Sequence, residues 1–252
     1  MNKQKLTTSI FIFILSLPIL VSGQINYGSN NGKYLTIRGI KIYYEDKHIV
    51  VIEKPTGLLS VATDFEMEET AHAILKNHCR PKRVFIVHRL DQDASGVMLF
   101  ALSEEARDAL KLVFEAHDIQ RNYAAVVEGS FDLSNGKWES YVYEDANYVV
   151  HSSQDPTRGK LAVTHYKVKH ASRKYTWLDL TLETGRKNQI RVHCKDAGHP
   201  IVGDKKYGAV SNPVKRLCLH AHVLAFDHPV THQKMHFESP VPESFKQLFG
   251  AI

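Results

Sequence analysis

One polar segment between two apolar runs constrains this chain more than any other part of it. The apolar runs, residues 84–87 and 96–101, are typical of buried β-strands. The segment between them, H-R-L-D-Q-D-A-S, carries a cation, two carboxylates and a hydroxyl, whereas a simple turn usually contains Gly or Asn. We expect it either to place charged groups at the floor of a cleft or to form a solvated loop with an Asx-type turn at Asp91 or Asp93.

The segment and the glycine that follows it, H-R-L-D-Q-D-A-S-G, resemble the signature H-R-L-D-x-x-T-S-G of RluA-type RNA pseudouridine synthases. The resemblance assigns the catalytic nucleophile to Asp91. It also makes His88 and Arg89 candidate RNA-binding residues. Ala94 stands where the family usually has Thr. This departure removes one hydroxyl but leaves the Asp, the Arg and the Ser-Gly pair.

Two further blocks match the family on either side of this segment. E-K-P-T-G-L-L-S-V, residues 53–61, resembles the opening motif N-K-P-x-G-L-x-x, with Glu53 in place of Asn. Its Pro and Gly are expected to fix a structural turn, and Lys54 is a candidate RNA contact. The block that begins at Arg121 resembles K/R-x-Y-x-A-x-V-x-G, which makes Arg121 a candidate RNA-binding residue. The same block assigns the family's active-site Tyr to Tyr123, although a strand Tyr with a satisfied hydroxyl is the alternative.

Residues 184–216 hold most of the excess positive charge. They contain eight Lys and Arg against two Asp, whereas the whole chain has a net charge of +5. Their blocks T-G-R-K-N-Q-I-R-V-H and G-H-P-I-V-G-D-K-K-Y-G resemble T-G-R-x-H-Q-I-R-V-H and G-H-P-I-x-G-D-x-x-Y-G of the family. The resemblance places the active-site Arg at Arg191, paired with Asp91, and puts Asn188 where the family usually has His. A solvated basic loop would explain the charge alone; we expect Arg186, Lys205 and Lys206 to bind RNA.

One more block, L-C-L-H-A at residues 217–221, completes the match. The histidines in and after it have no recognised ligand spacing, so we predict no metal site there. The three cysteines are odd in number, far apart and without a C-x-x-C pair, which indicates reduced core residues rather than disulfides or a zinc site. The residues concerned are His220, His222, His228, His232, Cys79, Cys194 and Cys218.

The resemblance implies an α+β fold with a mixed, mostly antiparallel sheet and flanking helices over residues 40–252. The periodicity predicts a helix over residues 68–79 and an amphipathic helix after an N-cap at Ser103. Strands are expected at residues 41–44, 48–52, 84–87, 96–101, 123–128, 162–169 and 175–183, with short hairpins in 130–160 and a closing helix in 242–249.

The first 23 residues differ in composition from the rest. Two lysines precede an uncharged apolar run and a small-residue site, which is the layout of a secretory signal peptide. An export signal, an anchor or organelle leader, and an unused upstream start all remain open. We expect a segment that is dispensable for the fold, a linker over residues 24–39 and a cytoplasmic protein.

These observations favour an RNA pseudouridine synthase that acts on ribosomal or transfer RNA. The implied chemistry detaches a flipped uracil from C1′ and rejoins it through C5, and it requires no cofactor or metal. A monomer without stable membrane association is expected. Two alternatives remain open: a non-catalytic RNA-binding relative, and an exported hydrolase that uses Asp91 and Asp93 as acid and base.

Overall fold

Twelve β-strands form one sheet in the computed structural model, which describes residues 34–62, 69–131 and 133–250. Four α-helices accompany the sheet. The strands are β1 Leu35–Ile37, β2 Ile40–Glu45, β3 Ile49–Lys54, β4 Phe85–Ile86, β5 Ser95–Ala101, β6 Gln120–Glu128, β7 Asn135–Glu144, β8 Val150–Ser153, β9 Lys160–Ala171, β10 Tyr175–Leu182, β11 Leu219–Asp227 and β12 Lys234–Glu238. The helices are α1 Ala71–His78, α2 Glu104–Glu115, α3 Gln189–Asp196 and α4 Glu243–Lys246.

The sheet has the order β1-β2-β3-β5-β11-β6-β10-β9-β7-β8, with β4 paired to β5 and β12 paired to β11. Strands β5 and β11 run parallel, and the other described pairs of named strands are antiparallel. The predicted fold class, a mixed and mostly antiparallel sheet with flanking helices, is confirmed. The parallel pair brings the start of β5, where the polar segment ends, beside the start of β11.

Residues 49–52 of β3 and residues 97–101 of β5 are continuously apolar because both faces of these strands are covered. On one face, Val50, Ile52, Met98 and Phe100 pack with Ile74 and Leu75 of α1. On the other face, alternate residues of the same two strands pack with Ala106 and Leu110 of α2. Burial on both faces gives continuous apolar runs instead of alternation. The polar segment is therefore anchored to a rigid strand at its C-terminal end.

Helix α2 confirms its sequence prediction at the N-terminus. The Ser103 hydroxyl accepts a hydrogen bond of 3.2 Å from the Ala106 amide, and Glu104 and Glu105 occupy the first turn. An N-cap of this kind satisfies an amide that the helix itself leaves free, and acidic residues complement the helix dipole there. The helix ends at Glu115, beside the mouth of the cavity described below.

Gly96, the last residue of the signature, lies against Ala221 of the L-H-A block. Its φ is +118°, and a Cβ at this position would lie 2.1 Å from the carbonyl oxygen of Ala221. Only glycine allows the two parallel backbones to approach so closely. The neighbouring Ser95 hydroxyl and His220 Nδ1 are joined by a hydrogen bond of 2.7 Å.

Four elements were not predicted from the sequence: strands β1, β11 and β12 and helix α3. Strand β1 lies inside the range 24–39 that we predicted to be a linker, because Arg38 and Gly39 both have positive φ and turn the chain into a hairpin with β2. Helix α3 occupies part of the basic stretch, and β12 pairs with β11. The apolar segment 1–23 and residues 24–33 lie outside the described residues. Within the described part, no helix has the length and apolar character needed to span a membrane.

Candidate active site

A cavity of about 520 Å³ opens where the polar segment, β6, the end of α2 and the start of α3 meet. Its volume falls in the usual range for small-molecule sites. Seven residues predicted to be functional line it: His88, Arg89, Asp91, Arg121, Tyr123, Arg186 and Arg191, together with Asn188, Phe114 and Leu219. The fold thus brings together side chains from four separate sequence blocks.

Asp91 lies in this cavity with one quarter of its side chain exposed. Its Oδ2 is 3.5 Å from Nη1 of Arg191, which confirms that the two residues predicted to pair are in contact. Burial raises the pKa of the Asp91 carboxyl, although the charges of Arg191 and Arg89 act in the opposite direction. The arrangement presents a carboxylate that is poorly hydrated, and poor hydration favours reactivity as a nucleophile or base.

Arg191 is held mainly by a second carboxylate. Its Nε and Nη2 each donate a hydrogen bond of 2.7 Å to Asp204, whose side chain is almost fully buried. The guanidinium also lies over the ring of Tyr207, 4.8 Å from its centroid. Two parallel charge-assisted bonds fix the plane of a guanidinium. Asp204 therefore fixes the nitrogen that faces Asp91, a role that we did not predict for the Asp of G-D-K-K-Y-G.

Asn188 is the nearest neutral partner of Asp91. In one orientation of its carboxamide, both polar atoms have hydrogen-bond partners. Nδ2 then donates to Asp91 Oδ1 and Oδ2 at 3.1 and 3.0 Å, and Oδ1 accepts from the Tyr207 hydroxyl at 3.0 Å. Asn188 has a left-handed backbone with φ of 52° and precedes α3. Asn tolerates this conformation better than most residues. The departure from His thus keeps a hydrogen-bond donor on Asp91 and removes a titratable ring.

Lys54 anchors the loop that carries Asp91. The side chain is fully buried, and Nζ donates to the carbonyl oxygens of Pro55, Leu58 and Gln92 at 2.9, 2.6 and 2.8 Å. Burial lowers the pKa of Lys54 to about 7, against the opposing charges of Asp91 and Asp93. A lysine in this position is withdrawn from solvent, so the structure gives it a structural role in place of the expected RNA contact.

Tyr123 projects from β6 into the cavity that contains Asp91. Burial raises the pKa of its hydroxyl to about 12, so the phenol is neutral at physiological pH. Ala94, which replaces the family's Thr, is 2% exposed and packs in the core beneath the cavity. A methyl group at this position is compatible with an intact cavity floor.

The residues predicted to bind RNA divide between two cavities, apart from Lys54. His88 and Arg186 line the same cavity as Asp91, whereas Lys205 and Lys206 line a neighbouring cavity of about 380 Å³. The His88 ring stacks on Phe114, its Nε2 accepts a 2.9 Å bond from the Leu99 amide, and burial lowers its pKa to about 3. His88 is therefore a neutral wall residue. The second cavity is lined by Thr56, Gly57, Asp93, Arg191, Gly203, Asp204, Lys205, Lys206, Lys215, Arg216 and Leu217.

The described histidines near the sheet centre bind protein groups. His220 bonds Ser95, His222 bonds Asp179 and His228 bonds Asp46, at 2.7, 3.2 and 3.0 Å. The three cysteines are free and buried. The one group of metal-capable side chains found among the described residues is Glu45, His78 and Cys79. None of these three lines the cavity around Asp91.

Comparison with known proteins decides the family. The sequence profile described as RNA pseudouridylate synthase matches residues 48–196, which is more than half of the chain and includes the polar segment and α3. The chain belongs to this family. Like its relatives it is an RNA pseudouridine synthase, an isomerase, and the mixed sheet is the fold of such domains.

Several curated relatives of this pseudouridine synthase cover most of its length. An uncharacterized RNA pseudouridine synthase YlyB of Bacillus subtilis (strain 168) is 36% identical over 83% of this chain and 71% of its own. Ribosomal large subunit pseudouridine synthase D of Xylella fastidiosa is 36% identical over 84% of this chain and 69% of its own. Both similarities extend beyond the residues that the profile matches, so the RluA-type resemblance is confirmed.

Solved structures show the same fold at lower sequence identity. Human RNA pseudouridylate synthase domain containing 4 superposes with a TM-score of 0.66 at 21% identity, and covers 81% of this chain and 90% of its own. Human RNA pseudouridylate synthase domain containing 1 also has a TM-score of 0.66, at 23% identity, over 82% of this chain and 86% of its own. The fold of this pseudouridine synthase is thus shared with human proteins.

Proposed function

We propose that this chain converts specific uridines in RNA to pseudouridine with Asp91 as the nucleophile. The observation that carries the proposal is the position of the Asp91 carboxylate. It lies in a cavity, 3.5 Å from a guanidinium nitrogen of Arg191 and 3.0 Å from the Asn188 amide, and Tyr123 lines the same cavity. This set combines a carboxylate, a cation that orients it and an aromatic ring for a base.

Each side chain has one task in the reaction. The target nucleotide leaves its stack, which costs a few kcal/mol, and its uracil enters the cavity against Tyr123. The Asp91 carboxylate bonds to C1′ as the bond between N1 and C1′ breaks and the base leaves with the electron pair. The base rotates, and C5 bonds to C1′ as the bond between Asp91 and C1′ breaks. The regenerated carboxylate accepts the C5 proton, and N1 gains a proton from solvent. Arg191 stays charged beside Asp91 throughout, because Asp204 and Asp91 raise its pKa against the effect of burial.

We propose ribosomal RNA as the first substrate to test, and transfer RNA as the second. The support is that the relatives named synthase D carry the large ribosomal subunit in their names. The test compares pseudouridine maps of RNA from cells with and without this gene. The purified chain should then restore each missing site in RNA from the deleted strain. Identical maps, together with RNA binding by the purified chain, would favour a non-catalytic relative.

We also propose that residues 34–252 carry the activity and that the protein acts in the cytoplasm. Family similarity begins after the apolar segment, at residue 48 in the profile match. A chain without residues 2–33 should remain folded and active. Cell fractionation that recovers the protein outside the cytoplasm, cleaved after residue 23, would contradict this location and support export.

A further inference from the structure

Arg121 is a buried cation to which the described structure gives no anionic partner. Its side chain lies on the sheet face that also presents Tyr123, since the two residues are two positions apart on β6. It is only 7% exposed. Nη2 donates a 3.3 Å bond to the carbonyl oxygen of Glu183, and Nε has no hydrogen-bond partner among the described residues. A buried charge without a partner is unfavourable, so this guanidinium is a candidate to bind an anionic ligand.

The surroundings of Arg121 are shaped for an anion. Gly185 allows the backbone to approach closely, because a Cβ there would lie 2.5 Å from Nη1 of Arg121. The Phe114 ring covers another side, with its centroid 5.8 Å from the guanidinium carbon. Burial lowers the pKa of Arg121, and the positive charge of the nearby Arg186 acts in the same direction.

The acidic groups that line the cavity do not pair with Arg121. Asp91 is engaged by Arg191 and Asn188, and Glu115 lies exposed at the end of α2. His88 next to it is neutral because burial and the charge of Arg121 lower its pKa. The wall between Phe114 and Gly185 is therefore positive, partly dehydrated and open to the cavity.

We infer that Arg121 binds the backbone phosphate that flanks the extruded uridine. The inference rests on the proposed function, since it deepens the account of how that site holds RNA. Uracil and ribose are neutral, so phosphate is the one anion that an RNA nucleotide brings into the cavity. The planar fork of an Arg donates two parallel bonds to a phosphate. Arg121 and Tyr123 are two residues apart on β6, about 6.6 Å along the strand, so the phosphate of a nucleotide whose base lies on Tyr123 is within reach of Arg121.

The test couples a protein change to a phosphate change. The parent strand is a labelled nine-nucleotide RNA, A4-U-A4. Two modified strands each carry one neutral methylphosphonate in place of a phosphate, on the 5′ or the 3′ side of U. All three strands carry the same 2′-O-methyl groups. Wild type should bind one of the two modified strands about tenfold more weakly than the parent strand. Arg121→Gln should bind the parent strand about tenfold more weakly and show no further loss with that modified strand.

Two further readouts separate a ligand role from a structural one. Removal of an unpaired buried charge should leave the melting temperature of Arg121→Gln equal to or above that of wild type, whereas a structural Arg would lower it. The slope of log affinity against log salt should fall by about one in Arg121→Gln. The exposed Arg173, changed to Gln, is the matched control and should leave all three measurements unchanged.

If the methylphosphonate weakens binding by the same factor in wild type and in Arg121→Gln, the two losses of affinity are additive, and the inference is overturned. Failure of the proposed function has a different result. If purified wild type forms no pseudouridine while the coupling persists, Arg121 is still a phosphate site, but of a non-catalytic protein. If wild type is active and the coupling is absent, the function stands and the phosphate site is elsewhere.

Discussion

Arg191 donates two hydrogen bonds of 2.7 Å to Asp204, while its ion-pair contact with Asp91 is longer, at 3.5 Å. The proposed nucleophile thus faces a cation that another carboxylate holds in place. Because the guanidinium is shared, Asp91 is not locked into a tight bidentate pair. A carboxylate that must react benefits from this arrangement, since a tight pair would have to break first.

Asp204 is therefore expected to be essential for both the fold and activity. Asp204→Asn removes a buried charge from Arg191 and should lower the free energy of unfolding by roughly 3 kcal/mol, at the lower end of values for broken buried pairs because Asp91 remains nearby. Pseudouridine formation should fall as well. Urea denaturation and pseudouridine mapping measure the two effects. Asp196→Asn, at the more exposed end of α3, is the control and should change both measurements little.

Asn188 is expected to act on Asp91 by donating hydrogen bonds. Asn188→Gly keeps the left-handed backbone accessible but removes the donor, and bonds to charged groups contribute about 1.5–3 kcal/mol. The rate should fall at least about tenfold, with a small change in melting temperature. Asn188→His restores a ring donor and should recover activity. A Gly variant as active as wild type would show that the amide is dispensable.

The pH dependence should report Asp91. The reaction needs the ionised carboxylate, and burial raises its pKa, so kcat/KM should increase with pH through a midpoint above the ordinary Asp value of about 3.9. Asn188→Asp places a like charge beside it and should move the midpoint further upward. His88 should not add a second step to the pH profile of kcat/KM near pH 6.5, because burial lowers its pKa to about 3. A wild-type midpoint at or below 3.9 would contradict this account.

Lys205 and Lys206 should contribute to RNA affinity without sequence preference. Both are exposed and line the second cavity, next to Arg191. Replacing both with Ala should weaken binding across RNA sequences and flatten the salt slope by about two, as expected for lost phosphate contacts. The exposed pair Lys234 and Lys246, changed together to Ala, provides the control. Equal slopes for the two double variants would place the RNA path elsewhere.

Much of the fold could be predicted from periodicity and turn chemistry. Strands β3 and β5 and helix α2 have continuous or amphipathic apolar patterns that match their burial. Helix α3 was missed because Q-I-R-V-H-C alternates apolar and polar residues as a strand does, while its polar Arg191 and His193 are themselves held inside by hydrogen bonds.

The site was predicted less completely. The motifs located Asp91, Tyr123 and Arg191, and the fold brings them to one cavity. The pairing of Arg191 with Asp204 is a contact across thirteen residues and a turn, which no local pattern specifies. The motif around Lys54 does not indicate that this side chain is buried. Only the three-dimensional structure shows that its ammonium donates to three carbonyl groups.

The most direct test of the central claim is the substitution of Asp91. Asp91→Asn keeps the size of the side chain but removes the charge and most of its nucleophilicity. Asp93→Asn is the matched control, since Asp93 lies two residues away and lines the second cavity instead. The measurement is pseudouridine formation by each purified variant on RNA from the gene-deleted strain. The account predicts no detectable product with Asp91→Asn and near wild-type product with Asp93→Asn; conversion by Asp91→Asn at a rate comparable to wild type would contradict it.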